Sequence, residues 1–143
     1  MYNILKESHS GIGMVLLFLL LTVIIFLLAM FLFKKTWNKS AKIAALVGLI
    51  LVHLQLLVGL LIYFMSPLGW ANFSSESMGY PISRFYIVEH PFGMLLAAFL
   101  ITKGYKFSKS NTLSSRGKYK RLLVFYSLGF GVITYLIPWF LWS

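Results

Sequence analysis

Three histidines are the side chains of this 143-residue chain best suited to chemistry: His9, His53 and His90, the last preceded by Glu89. Each lies in or beside a long apolar stretch, where an unpaired ionisable group costs several kcal/mol and therefore indicates a functional site. A neutral imidazole is a good ligand for metal ions and for haem iron. These histidines are therefore candidate cofactor ligands, or else polar contacts between helices.

Other kinds of chemistry lack the residues they need. The chain has three acidic residues in total and no cysteine. It has no paired-carboxylate set, no P-loop, no G-x-S-x-G and no H-E-x-x-H motif, which argues against hydrolysis and phosphoryl transfer. The lack of cysteine excludes disulfides, thiolate metal sites, iron–sulfur clusters and covalently attached c-type haem.

The elements that must position the histidines are membrane-spanning helices. Hydrophobic residues make up 59% of the chain, charged residues only 11%, and the mean hydropathy is +0.85. Four apolar stretches of spanning length cover residues 11–33, 43–65, 85–106 and 122–142. The first is too long for the apolar core of a signal peptide and no cleavage site follows it, so we expect it in the mature protein. We predict a single all-α domain over residues 1–143, a four-transmembrane-helix up-down bundle.

The third stretch is the least apolar, because Glu89 and His90 interrupt it and Pro91 follows. We still predict a helix, with Pro91 in its first turns, where a missing N–H is tolerated.

The net charge of +10, from 13 basic and three acidic residues, sorts by position. Eleven cations lie in or beside the connections 34–42 and 107–121. Lys6, Arg84 and the three acids lie at the other ends of the helices, where the N-terminus and the connection 66–84 are expected. The positive-inside rule makes the basic side cytoplasmic and places both termini outside, in a multi-pass protein of the inner (cytoplasmic) membrane. Loop cations are then explained by topology and by anionic lipid headgroups, so we expect no nucleic-acid partner. Tryptophans would form belts at the two interfaces, Trp37 inside and Trp70, Trp139 and Trp142 outside.

Histidines on separate helices of an apolar bundle are typical ligands of b-type haem, which has no covalent attachment. Gly13 follows His9 by four residues and Gly93 follows His90 by three, so each glycine shares a helix face with its histidine. These glycines would leave room for a porphyrin edge, or they serve ordinary helix packing. Counted from the basic ends, His53 and His90 lie at heights of about 16 and 20 Å and His9 at about 37 Å, but a longer third helix would raise His90. The count leaves the pairing open.

Several segments resemble known haem proteins: His-Ser-Gly-Ile-Gly at 9–13, His-Leu-Gln-Leu-Leu-Val-Gly-Leu-Leu at 53–61, Ser-Pro-Leu-Gly at 66–69 and Arg-Phe-Tyr-Ile-Val-Glu-His-Pro at 84–91. The chain resembles the small four-helix bacterial membrane proteins of the cytochrome b type, and one four-helix half of haem A synthase. The resemblance implies His9 and His90 as axial ligands on diagonal helices near the outer surface, with residues 54–59 packing between them. Haem A synthase has two such halves, and His53 has no counterpart among its ligands, so a haem-binding scaffold is implied but haem oxidation is not.

We therefore predict a membrane b-type cytochrome that binds haem b and transfers electrons, with membrane quinone or another cytochrome as its partner. His9 and His90 are the first choice of axial ligands, and His53 is either an alternative ligand or a buried polar partner. Arg84, or else the outer-loop residues near Trp70 and Asn72, are candidate contacts for the haem propionates. The sequence leaves enzymatic activity and oligomeric state open.

Two other hypotheses remain. The chain could be a cofactor-free accessory subunit whose histidines form hydrogen bonds between helices. A metal or proton transporter is the third. It fits less well, because histidines at such different depths do not form one compact ligand set.

Overall fold

The computed structural model describes residues 1–141, which are helical throughout apart from their connections and contain no strand. The helices are α1 (Tyr2–Leu32), α2 (Lys39–Met65), the short α3 (Ser75–Met78) and α4 (Pro81–Arg84), α5 (His90–Ser108) and α6 (Ser115–Tyr135). Helix α4 continues into α5 through one π-helical turn, Phe85–Glu89. Three helical stretches in this part of the chain are long and apolar enough to cross a membrane: Tyr2–Leu32, Lys39–Met65 and the combined Pro81–Ser108.

The four long helices form a bundle in which each packs mainly against two neighbours, in the order α1, α2, α5, α6 and back to α1. Two hydrogen bonds mark its ends. The backbone N–H of Trp37 donates to Ser115 Oγ (2.8 Å) where the two basic connections meet. The hydroxyls of Tyr2 and Ser66 lie 2.9 Å apart at the other end. Helices α1 and α5 are thus diagonal partners, as are α2 and α6.

The bundle interior is lined by small and branched side chains. Its fully buried members include Leu20, Leu27, Ala41, Ala45, Ala97, Ile101 and Leu122. On the α2–α6 diagonal, the hydroxyl of Tyr126 donates to the carbonyl of Ala45 (2.6 Å), and a Cβ at Gly48 would lie 2.9 Å from the Tyr126 ring. Many large apolar side chains point outward instead, as expected when lipid is the solvent for the outer surface.

The helix boundaries differ from those expected. Helix α1 begins at Tyr2 rather than near residue 11, because no helix breaker separates its polar first turns from the apolar stretch. Its 31 residues extend about 46 Å, and His9 lies inside the helix. Helix α6 begins at Ser115, where Ser114 Oγ accepts the N–H of Gly117, and ends at Tyr135.

The early end of α6 follows from Pro138, since the residue before a proline disfavours the helical conformation. A 3₁₀ turn, Trp139–Leu141, comes after it. The first turns of α6 hold Arg116, Lys118, Lys120 and Arg121, so α6 is less apolar than the other three long helices. A fourth membrane crossing therefore stays a prediction, and the predicted end of that span at Trp142 lies outside the described residues.

Pro91 lies near the middle of a continuous helical stretch rather than in its first turns. Here the His90 N–H bonds the carbonyl of Phe85, five residues earlier, which widens the helix into a π turn. Pro91 has no N–H to offer the carbonyl of Ile87, four residues earlier. The hydroxyl of Tyr63 on α2 donates to that carbonyl instead (3.0 Å). A neighbouring helix thus supplies the donor that proline removed.

Most of the expected loop cations lie on helix ends, because the connections are only 33–38 and 109–114. Several of them sit over aromatic rings. The Arg116 guanidinium lies 4.4 Å from the Phe31 ring centroid, and Arg121 lies 4.5 Å from that of Phe107. Such cation–π contacts hold the charges at the ends of apolar helices.

Candidate functional site

His9 and His90 meet across the α1–α5 diagonal, at the end of the bundle opposite the basic connections. Their ring centroids are 6.2 Å apart and their planes are inclined by 81°. Two imidazoles that share one metal ion place a nitrogen about 2 Å from it on each side, and half of each ring adds about 1 Å, which gives centroids about 6 Å apart. The spacing of this pair therefore matches that of two axial ligands.

The His90 ring is held by the end of α6. Its Nδ1–H donates to the carbonyl of Leu136 (2.8 Å). That carbonyl is available because α6 ends one residue earlier, and the carbonyls of a last helical turn have no partner within the helix. A metal-binding histidine commonly donates its second ring N–H to a backbone carbonyl in this way. The bond leaves Nε2 of His90 as the free nitrogen.

The His9 ring lies directly against α2 at Gly59, where a side chain would crowd it. A Cβ at Gly59 would lie 3.0 Å from Cε1 of His9. One turn earlier on α2, the side-chain amide of Gln55 donates to the backbone carbonyl of His9 (2.6 Å). Glycine and glutamine four residues apart thus form the surface that fixes this part of α1.

Two buried polar atoms at this contact have no hydrogen-bond partner in the described part of the chain, residues 1–141: Nδ1 of His9 and Oε1 of Gln55. Such atoms are uncommon in folded proteins and call for an explanation, because leaving one unpaired costs about 1–3 kcal/mol. Nδ1 of His9 is therefore available for a further partner.

His53 belongs to a different level of the bundle. Its Nδ1–H donates to the carbonyl of Leu49 (2.8 Å), and its Nε2 lies 3.2 Å from the Thr102 hydroxyl on α5. Thr102 follows His90 by 12 residues on a continuous helix, a rise of about 18 Å. The structure therefore brings His9 and His90 together and leaves His53 as a polar contact between α2 and α5.

The two glycines expected to leave room for a porphyrin edge face side chains. A Cβ at Gly13 would lie 2.9 Å from Nε2 of Gln55, and a Cβ at Gly93 would overlap Cδ1 of Leu136. Both glycines allow a close approach beside a histidine, as expected. The space next to them is filled by side chains with rotatable bonds, which a flat ligand would have to displace.

Arg84 lies at the same end of the bundle, near the surface. Its Nε donates to the Glu89 carboxylate at 2.8 Å, and both side chains are close to half exposed. The π turn between them places these residues, five apart, side by side. The predicted propionate contact is thus present in the right region, but its charge is paired within the chain.

Three contacts of this site were not anticipated from the sequence: the contact at Gly59, the carbonyl of Leu136 and the hydroxyl of Tyr63. Pro138 was the available signal for the second, since it predicts a helix end and free carbonyls beside it. Among residues 1–141, no group of three or more His, Asp or Glu side chains is close enough to hold a metal ion. Two histidines alone form the candidate ligand set.

Comparison with protein-family models, with curated proteins and with solved structures gave no match for this chain. The function is therefore inferred from the geometry of the site.

Proposed function

We propose that this protein is a membrane-embedded b-type cytochrome that binds one haem b through His9 and His90 and passes electrons to or from membrane quinone or another cytochrome. The observation that supports it is the histidine pair. Two imidazoles from diagonal helices have a centroid spacing at which they would both reach one haem iron. One is oriented by a backbone carbonyl, and the other has a buried nitrogen without a partner among residues 1–141.

Haem held by two imidazoles supplies one-electron chemistry, and the chain supplies the setting for it. His9 and His90 would hold the haem, and the Leu136 carbonyl selects the His90 tautomer with a free Nε2. Phe85, with its ring centroid 5.7 Å from that of His90, adds an apolar wall. In a site of this kind, axial ligands and burial set the reduction potential.

The orientation forms part of the proposal. The chain crosses the membrane four times, its eleven clustered cations face the cytoplasm, and the histidine pair lies near the outer surface with both termini. Arg84 reaches the propionates from the outer end if its pair with Glu89 opens.

An absorption spectrum of the purified protein, expressed with haem supplied, tests the proposal. We expect a Soret band and the sharp visible bands of a reduced bis-histidine haem. His9→Ala and His90→Ala should each abolish or strongly shift these bands. His53→Ala is the matched control, since it removes an imidazole from the same bundle about 18 Å away and should leave the spectrum unchanged.

The second candidate is a cofactor-free accessory subunit, favoured by the side chains that fill the space beside Gly13 and Gly93 and by the hydrogen bonds of His53. It predicts a colourless protein in which all three His→Ala variants lose a little stability. A colourless wild type under haem-replete expression would refute the cytochrome proposal. A spectrum that survives His90→Ala would refute the ligand assignment alone.

A further inference from the structure

We propose that a cleft at the basic end of the bundle binds the phosphate headgroup of an anionic phospholipid through Lys34, Lys35 and Arg116. The cleft has a volume of about 460 Å³ and lies between the end of α1 and the beginning of α6. Its wall combines these three cations with the hydroxyl side chains of Thr36, Ser114 and Ser115. This is a donor set for phosphate oxygens, and it lies about a bundle length away from the histidine pair.

Among residues 1–141, none of these three cations forms an ion pair with a carboxylate. The acidic residues of the chain are Glu7, Glu76 and Glu89, and none occurs between residues 8 and 75 or after residue 89. Glu89 is already bound to Arg84 at the opposite end. The first turn of α6 also has no acidic residue, although a helix N-terminus attracts negative charge. The cleft thus carries positive charge that no acidic side chain of the lining offsets, which favours an anionic ligand.

The geometry holds two of the cations in place. The guanidinium of Arg116 lies over the Phe31 ring, 4.4 Å from its centroid, so the charge stays at the cleft. Lys34, two residues after the end of α1, adopts the left-handed conformation (φ 53°). The Lys34 N–H bonds Phe31 O and the Lys35 N–H bonds Met30 O, the two bonds of a Schellman motif. Glycine is the usual residue at this left-handed position, so the lysine here supplies charge at a conformational cost.

The floor of the cleft indicates a lipid rather than free phosphate. It is formed by the rings of Phe31 and Tyr119, and Tyr119 is fully buried, its hydroxyl bonded to the carbonyl of Thr36 (3.1 Å). Just outside, Leu32 and Phe33 expose 64% and 74% of their surface on the flank of α1. An apolar surface that leads into a cationic cleft matches an amphiphile with an anionic head and acyl chains.

Native mass spectrometry of the full-length protein in detergent tests the proposal. The probes are phosphatidylglycerol and phosphatidylcholine of equal chain length, titrated separately. We expect phosphatidylglycerol to bind at least tenfold more tightly. Arg116→Gln should weaken that binding roughly fivefold, the contribution of one cation at a membrane surface. Lys42→Gln is the matched control, because Lys42 is an exposed cation at the same end of the bundle but outside the cleft.

A second variant, Lys34→Gly, distinguishes the loss of the binding site from the loss of the folded structure. Glycine relieves the left-handed backbone, so this variant should melt at a higher temperature and yet bind phosphatidylglycerol about fivefold more weakly. Equal binding of both lipids, or an equal loss in Lys42→Gln, would refute a specific site and leave only a diffuse positive surface. Displacement of phosphatidylglycerol by low millimolar inorganic phosphate would refute the lipid assignment and make the cleft a site for free phosphate.

Discussion

The hydrogen bond from Tyr63 to the carbonyl of Ile87 offers a quantitative test of how the π turn is stabilised. Ile87 is 1% exposed, so water cannot replace the tyrosine hydroxyl, and Pro91 removes the ordinary helical donor. Hydrogen bonds between transmembrane helices contribute about 0.6 kcal/mol on average and at most about 1.7 kcal/mol. A buried carbonyl left without a donor costs about 1–3 kcal/mol. Tyr63→Phe should therefore reduce stability by about 1–2 kcal/mol.

The same reasoning predicts coupling between Tyr63 and Pro91. In Pro91→Ala, the new N–H can reach the Ile87 carbonyl, so removing the Tyr63 hydroxyl should then cost only about 0.5 kcal/mol or less. The double-mutant cycle should thus give a coupling of about 1 kcal/mol, a difference of a few °C in melting temperature for a chain of this size. Thermal unfolding in detergent, followed by circular dichroism, measures all four proteins. Tyr135→Phe, which changes a tyrosine that is 83% exposed, is the matched control.

Equal losses for Tyr63→Phe in the two backgrounds would refute the reasoning, because the hydroxyl would then act independently of the proline. A loss in Tyr135→Phe as large as that in Tyr63→Phe would show that the assay reports a general effect of removing tyrosine hydroxyls.

Three further predictions concern the helix contacts around the site. Gly59→Ala should displace the His9 ring and weaken any haem spectrum. Gly131→Ala is the control, since it has open space at its Cβ; it should leave the spectrum intact and stabilise α6 by up to about 1 kcal/mol. Equal spectra in the two variants would contradict the contact between His9 and Gly59. Gly48→Ala should lower the free energy of unfolding by about 1–3 kcal/mol through overlap with the Tyr126 ring. Combining it with Tyr126→Leu should relieve part of that loss in a melting experiment, and strictly additive losses would argue against the contact. Glu89→Gln should change the melting temperature little, since exposed ion pairs contribute about 0–1 kcal/mol, and a large drop would show that Glu89 has a second role.

The sequence predicted the helical, membrane-spanning character of the chain because apolar runs of about 20 residues report directly on the solvent around them. It also predicted which ends of the helices gather the cations, and the structure places both basic connections at one end of the bundle. Helix ends were harder to predict. Tyr2–Ser10 reads as a polar approach to α1 but continues the helix, and Pro138 ends α6 seven residues before the predicted boundary at 142.

The pairing of the histidines shows where one-dimensional reasoning stops. Heights counted along separate helices matched His53 with His90, since the count assumed that α5 ends near Lys103. Helix α5 runs on to Ser108, with Lys109 over the Tyr105 ring, and the five extra residues raise His90 by about 8 Å. That still leaves His90 below the counted height of His9, so the contact between the two rings comes from the way the helices pack. The resemblance to cytochrome b proteins had implied the same pair for a different reason.

By itself, then, the sequence determined that the helices suit apolar surroundings, that the fold is helical, that the charges are separated and that a short set of polar residues is available. Each of these depends on composition and on distances along one helix. Only the tertiary structure decided which residues meet. The contacts of His9 with Gly59, of His90 with the Leu136 carbonyl and of Tyr63 with the Ile87 carbonyl join residues 24 to 50 positions apart. They arise from helix rotation, helix register and the free carbonyls at helix ends, which depend on how all four helices pack together.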